Sequence, residues 1–189
     1  MEKLAERIKI AICKNNPNLT VEQGETIKFG LECILSETSK IVAYFVIFSL
    51  FSLVDHYLIA IAFFCISRLF AGGYHAKTNL MCFFVTLILL SMGIFTGSQF
   101  GLPFEARIFL QVVSVIFAWV FAPVDHPNKP ILSVERRKRF RYLSVAVFII
   151  LGCITFLLEE RLAATASLML FMEAISLPVG QIAKRRISI

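Results

Sequence analysis

Two side chains in this 189-residue chain have the types and spacing for nucleophilic chemistry. They are His75 and Cys82, seven residues apart in the glycine-broken stretch Arg68-Leu69-Phe70-Ala71-Gly72-Gly73-Tyr74-His75-Ala76-Lys77-Thr78-Asn79-Leu80-Met81-Cys82. A thiol ordinarily titrates near ~8.5, and an adjacent imidazole can take its proton and leave a thiolate nucleophile. On one continuous helix the pair would share a face but stand about 10.5 Å apart along the axis, beyond hydrogen-bond reach. A fold-back at Gly72-Gly73 closes that gap. Spacing alone leaves the ordinary readings open, a small packing cysteine at the start of an apolar helix and a solvated loop histidine. Metal chemistry is poorly served, because one His and one Cys supply two of the four ligands zinc takes, and neither His56 nor His126 has a matching partner nearby. No metal and no cofactor is expected.

The elements that must position this pair are membrane helices. The chain is 58% hydrophobic and 17% charged, with nineteen Phe and one Trp, and its mean hydropathy is +0.78. A soluble domain carries about 45–50% apolar and 25% charged residues, so soluble and disordered classes are excluded. Six apolar segments stand out, 41–54, 57–71, 80–97, 108–124, 142–158 and 162–180. The last four are long enough for about 30 Å of hydrocarbon. The first two are short and read as a tight hairpin turning at Asp55-His56, which either crosses fully or dips in. Ahead of them, residues 4–12 and 21–38 read as two amphipathic helices at the interface. Asn15-Asn16-Pro17-Asn18 ends the first, and Thr20 with Gln23 forms a capping box for the second. The expectation is an all-α polytopic membrane protein with about six transmembrane helices and a single domain over 1–189: interfacial helices in 1–38, membrane helices in 41–180, and a tail at 181–189.

Charge sets the orientation. Of the nineteen Lys and Arg, seventeen fall in 1–40, 68–79, 125–141 and 184–186, against Arg107 and Arg161 on the other side. The positive-inside rule therefore places both termini, and the His75–Cys82 stretch, in the cytoplasm. The net charge of +6 is explained by this topology, and no nucleic-acid-binding signature accompanies it. The N-terminus lacks the apolar core and cleavage site of a signal peptide. Cys13, Cys33, Cys65 and Cys153 read as small apolar residues in the absence of any CxxC pair. Glu173, inside the last apolar segment, is by default a functional or pairing candidate; a structural partner or snorkelling is the simpler reading. Gly93 and Gly97 form a G-x-x-x-G that permits close helix contact and allows a homodimer.

The string from Arg68 to Ala76 followed by Cys82 resembles the signature of the accessory gene regulator B family, bacterial membrane cysteine endopeptidases that process quorum-sensing propeptides. Lys28-Phe29-Gly30-Leu31-Glu32, and Ala122-Pro123-Val124 leading to Asn128-Lys129-Pro130-Ile131, add weaker agreement, and the similarity spans essentially the whole chain. The resemblance implies that His75 and Cys82 are a catalytic dyad, with Arg68, Gly72 and Gly73 in the same motif. It further implies a multi-pass protein of the cytoplasmic membrane that acts on a short AgrD-like propeptide and contacts membrane lipids, with no cofactor and no nucleic acid. Glu32, Lys77 and Lys129 are candidate substrate-binding residues, and the Arg136–Arg141 run reads first as a topology and lipid-contact feature. In the implied reaction Cys82 cleaves the C-terminal part of the precursor through an acyl-enzyme, and the retained fragment closes to a thiolactone or lactone. Two other classes stand beside it: a peptide export channel, for which polar residues at mid-depth are sparse, and a non-enzymatic scaffold that would make no demand on the Cys82 thiol.

Overall fold

The computed structural model describes residues 2–16, 19–74, 78–124 and 133–187, the last four as backbone. Among them are seven helices: α1 Glu2–Asn15, α2 Val21–Leu50, α3 Val54–Ala71, α4 Asn79–Phe100, α5 Phe104–Phe121, α6 Val134–Thr155 and α7 Glu160–Ile187. The protein is an all-α polytopic membrane protein, and five helices (α2, α3, α4, α5 and α7) are long and apolar enough to cross a bilayer. The chain forms two compact units, Met1–Ile47 and Phe48–Ile189.

In the first unit, α1 is fixed to the start of α2 by ion pairs. Lys28 Nζ lies 2.8 Å from Glu6 Oε2, and Lys9 Nζ 2.5 Å from Glu25 Oε1. The hydrogen bond from Lys28 holds the Glu6 carboxyl below its usual range, and the bond to Glu25 raises Lys9. The capping box forms as expected: Gln23 N–H donates to Thr20 Oγ1 and Thr20 N–H to Gln23 Oε1. The expected second interfacial helix and first apolar segment are one continuous helix, because nothing between Ser36 and Ile41 breaks it. The turn after α2 falls at Phe51-Ser52-Leu53, with Ser52 at φ 56°. Asp55 and His56, where the hairpin was expected to turn, instead start α3.

In the second unit α7 runs through the middle, packed against α3, α4, α5 and α6. Its buried residues are mostly small or flexible, including Ala163, Ala164, Ala166, Met169 and Ala174. Small residues let helix backbones approach closely where lipid offers no hydrophobic drive to do so. Large apolar side chains on α4 and α5, such as Phe84, Ile88, Phe109 and Trp119, are exposed, as lipid-facing surfaces are. The G-x-x-x-G is used within the chain: a Cβ at Gly97 would come within 2.7 Å of Thr165 N and 2.8 Å of its Cα, and one at Gly93 within 2.6 Å of Met169 Sδ.

Two further boundaries differ from expectation. The basic run Arg136–Arg141 is helical and forms the first turns of α6, capped by Ser133, whose hydroxyl accepts from Arg136 N–H. Arg and Lys are good helix formers, and no breaker separates them from the apolar residues that follow. That charge, and an apolar helical part confined to 142–155, keeps α6 from joining the other five as a span by length and composition, although it packs against α3, α5 and α7. The expected tail is likewise helical, since α7 continues through Pro178 to Ile187.

Candidate functional site

The motif that starts at Arg68 runs over the last turn of α3 and out of its end. Arg68 O accepts from Gly72 N–H at 2.9 Å, and Gly72 takes φ 74°, a conformation glycine reaches without steric cost. A short parallel bridge then joins Gly72 to Val124, with Val124 N–H donating to Ala71 O at 2.9 Å. A Cβ at Gly72 would run into the Val124 carbonyl. The turn is thus clamped from one side by the segment that follows α5. Carbonyls at that end of α5 are themselves tied down: Arg141 Nε donates to Ala122 O at 3.0 Å and Gln181 Nε2 to Phe121 O at 2.6 Å.

From the other side the turn rests on α7. Gly73 has φ 151°, and a Cβ there would lie 2.7 Å from Glu173 Oε1 and 2.8 Å from Ser176 Oγ. One turn on, a Cβ at Gly180 would lie 3.1 Å from both Gly73 C and Tyr74 N. Residues 173, 176 and 180 occupy one helix face, which seats the backbone of the turn.

Arg68 ties these parts together. Its Nη1 lies 3.3 Å from Glu173 Oε2, its Nη2 donates to Tyr74 O, and its guanidinium sits 5.1 Å from the Phe64 ring centroid. Glu173 is fully buried and Arg68 19% exposed. Removing either partner would leave an uncompensated charge in a desolvated site, which is far costlier than losing a surface pair. Of the two simpler readings of Glu173, the structure shows the structural partner, which is Arg68, 105 residues earlier. Glu173 Oε1 and Ser176 Oγ are buried without a hydrogen-bond partner among the described residues.

Cys82 lies in the first turn of α4. Thr78 caps that helix: its hydroxyl accepts from Met81 N–H at 3.2 Å, and its carbonyl accepts from Cys82 N–H at 2.9 Å. Half-buried, Cys82 lines a cleft of about 250 Å³ together with Arg68 and Tyr74. The cleft continues between Val85, Thr86 and Leu89 of α4 and Met172, Ile175, Ser176 and Val179 of α7. A thiol that lines a mainly apolar cleft, together with a guanidinium held in place by a buried carboxylate, can keep an acyl group in apolar surroundings.

Of the residues singled out in the sequence, the structure brings Arg68, Gly72, Gly73 and Cys82 into this one region. His75, Lys77 and Lys129 lie outside the described residues. Glu32 belongs to α2 in the first unit, whereas the cleft is built from the second unit alone. Sequence reasoning passed over Ser176, Gly180 and Val124 as supports of the turn. The available signal was the Glu173, Ser176, Gly180 stripe, a polar and small-residue face in an otherwise apolar helix.

A family model described as Accessory gene regulator B matches residues 3–177. A putative AgrB-like protein of Clostridium acetobutylicum is 29% identical over 182 residues, covering 94% of this chain and 85% of its own. A putative AgrB-like protein of Clostridium perfringens is 29% identical over 140 residues, 70% of this chain and 65% of its own. The accessory gene regulator protein B of Staphylococcus aureus is 28% identical over 160 residues, 85% of this chain and 84% of its own. No solved structure matches the chain.

Proposed function

The chain belongs to the accessory gene regulator B family, and from that membership and the surroundings of Cys82 we propose that it is an integral membrane cysteine endopeptidase of quorum sensing. Its substrate is a short propeptide whose C-terminal part it removes. The observation that carries the reading is the cleft that Cys82 shares with Arg68 and Tyr74, the residue before His75.

The Cys82 thiolate adds to the carbonyl of the scissile peptide bond, the C–N bond breaks, and the departing amine takes a proton from the His75 imidazolium. The N-terminal fragment stays on Cys82 as a thioester. A thiol or hydroxyl within that fragment then attacks the same carbonyl, closing a thiolactone or lactone ring and returning the Cys82 sulfur. Exchange of one thioester for another is nearly energy-neutral while hydrolysis is downhill, so the apolar cleft serves the reaction by excluding water and holding the internal nucleophile close. His75 is assigned from the family motif. Lys77 and Lys129 carry charge suited to an acidic tail on the propeptide, and Glu32 suits a basic group on it.

The same proposal places the protein in the bacterial cytoplasmic membrane with both termini and the Cys82 end of α4 in the cytoplasm. The basic segments flanking the helices support this sidedness. The whole chain acts as one peptidase domain. The test is cleavage of a candidate propeptide in proteoliposomes. Wild type should cleave and form a Cys82 thioester; Cys82→Ala and His75→Ala should do neither, while Cys13→Ala, Cys33→Ala, Cys65→Ala and Cys153→Ala remain active. Cleavage at the wild-type rate by Cys82→Ala would exclude the mechanism.

A further inference from the structure

We infer that the recess between the start of α5 and the end of α6 binds one phospholipid, with its phosphate on the Arg107 guanidinium and an acyl chain in the recess below. The site stands at the end of the bundle away from Cys82 and does not depend on the peptidase reading.

Helix order places it there. α4 carries the chain from Cys82 to Phe100, and α5 starts at Phe104 and runs back towards Val124, which meets the Gly72 turn. α6 then returns to the far end, stopping at Thr155 with Phe156 as its cap. The Phe104 and Phe156 rings meet edge to face, 5.5 Å between centroids. The Arg107 guanidinium carbon lies 5.8 Å from the first ring centroid and 5.9 Å from the second. An arginine near a membrane edge ordinarily extends its head into water. Here the Nε is buried, with no hydrogen-bond partner among the described residues, and none of the ion pairs that these residues form includes Arg107. Aromatic faces hold a cation without neutralising it, so the half-buried guanidinium keeps its charge for an anion from outside the chain. The nearest carboxylates in sequence are turned elsewhere: Glu105 stands two residues away, a spacing that does not share a helix face, and Glu159 and Glu160 are exposed in the turn into α7.

Depth and shape identify the anion. α5 has 18 residues, about 27 Å of helix against about 30 Å of hydrocarbon, so its first turn stands at the level of the lipid phosphates. The recess beneath holds about 350 Å³ and is lined by Phe104, Ile108, Gln111, Val112 and Phe156. From Phe104 to Val112 it runs about 12 Å along the helix axis, most of the depth of one leaflet. Gln111, its polar member, donates its amide to Phe148 O at 2.6 Å, which leaves a hydrocarbon wall. A water-soluble phosphate would leave that wall uncovered, and a peptide would bring backbone groups with nothing there to pair them. A guanidinium that can fork onto phosphate oxygens, above an apolar recess about as deep as a leaflet, matches a phospholipid.

The chain has one tryptophan, Trp119, which makes a local reporter simple to install. Trp119→Phe with Phe156→Trp keeps an aromatic ring at the mouth of the recess. The full chain is reconstituted in bilayers of uncharged digalactosyldiacylglycerol, and phosphatidylglycerol brominated on its acyl chains is titrated in, because bromine quenches tryptophan on contact. Quenching at position 156 should show phosphatidylglycerol preferred over the host lipid by about tenfold, the scale of a hydrogen bond to a charged group. A reporter at Phe109→Trp, exposed on α5 and away from the recess, should show no preference. Arg107→Gln should reduce the preference at 156 to that seen at 109, and Arg107→Lys, which keeps the charge without the fork, should give an intermediate value. Equal preference at 156 and 109, or a preference that survives Arg107→Gln, would overturn the inference. So would displacement of the brominated lipid by soluble glycerol phosphate, since the recess would then add nothing to binding. Quenching at 156 that appears only on diluting the protein in lipid would also overturn it, because a second copy of the chain would then be the occupant.

Discussion

Replacing Gly73 with alanine adds a single methyl group, and the structure states what that methyl would meet. Its carbon would sit 2.7 Å from Glu173 Oε1 and 2.8 Å from Ser176 Oγ, about 0.6 to 0.7 Å inside the 3.4 Å at which ordinary van der Waals contact begins. Neither neighbour retreats freely. Glu173 is fully buried and held to Arg68, and Ser176 is carried on a helix enclosed by four others. The backbone adds a second cost, because φ 151° is a region that side-chain-bearing residues rarely adopt. Such strain amounts to about 1–3 kcal/mol, and overpacking to another 1–3 kcal/mol or so. The turn can relieve a load of roughly 2–6 kcal/mol only by moving off α7, which displaces Tyr74 and the histidine after it. A shift of about 1 Å in a reacting group costs on the order of 100-fold in rate.

The expected outcome for Gly73→Ala is a fall of about 100-fold in propeptide cleavage in proteoliposomes, with helix content and membrane insertion unchanged. Ser176→Gly opens the other side of the contact. The double variant Gly73→Ala with Ser176→Gly should recover part of the activity, giving a coupling of about 0.5–3 kcal/mol between positions far apart in sequence and touching in space. Wild-type cleavage by Gly73→Ala, or a double variant no better than the product of the singles, would show that α7 does not seat the turn.

The Arg68–Glu173 pair makes a second prediction. Glu173→Leu and Arg68→Leu should each lower the stability read by SDS titration by about 3–5 kcal/mol, because each strands a buried charge. The double Leu variant should be more stable than either single and still inactive, because Tyr74 O has lost its donor; a double variant less stable than both singles would argue against the pairing. Sidedness can be read by thiol labelling of Gln99→Cys and Ser133→Cys in a background lacking native cysteines, both positions being exposed. An impermeant reagent on intact cells should modify position 99 and spare 133, and the reverse pattern would invert the topology.

Features written in adjacent residues were legible in the sequence. The Thr20–Gln23 capping box, the stop of α1 at Asn15 and the start of α4 next to Cys82 each depend on chemistry within a turn or two. The merging of 21–38 with 41–54 was harder to see because the change from amphipathic to apolar composition looks like a boundary, yet a helix ends only where its backbone is interrupted. The basic start of α6 is the same case. Arg136–Arg141 fall outside the apolar segment that begins at 142 because charge marks the membrane edge, and charge does not stop a helix.

The supports of the site were illegible for a different reason. Glu173 could be recognised as an anomaly in an apolar segment, but its partner Arg68 lies 105 residues away, and no local pattern joins them. The glycines carry the same lesson. Gly72 and Gly73 read as a turn that uses glycine's access to positive φ to bring His75 back towards Cys82, and both do take positive φ. In the structure they are sites of closest approach, one against the Val124 carbonyl and the other against Glu173 and Ser176. A missing side chain there serves contact as much as conformational freedom. That distinction changes the expected behaviour of the motif: a flexible hinge tolerates any residue able to adopt the turn, whereas a clamped turn rejects a methyl group at 73 and recovers when α7 is cut back to admit it.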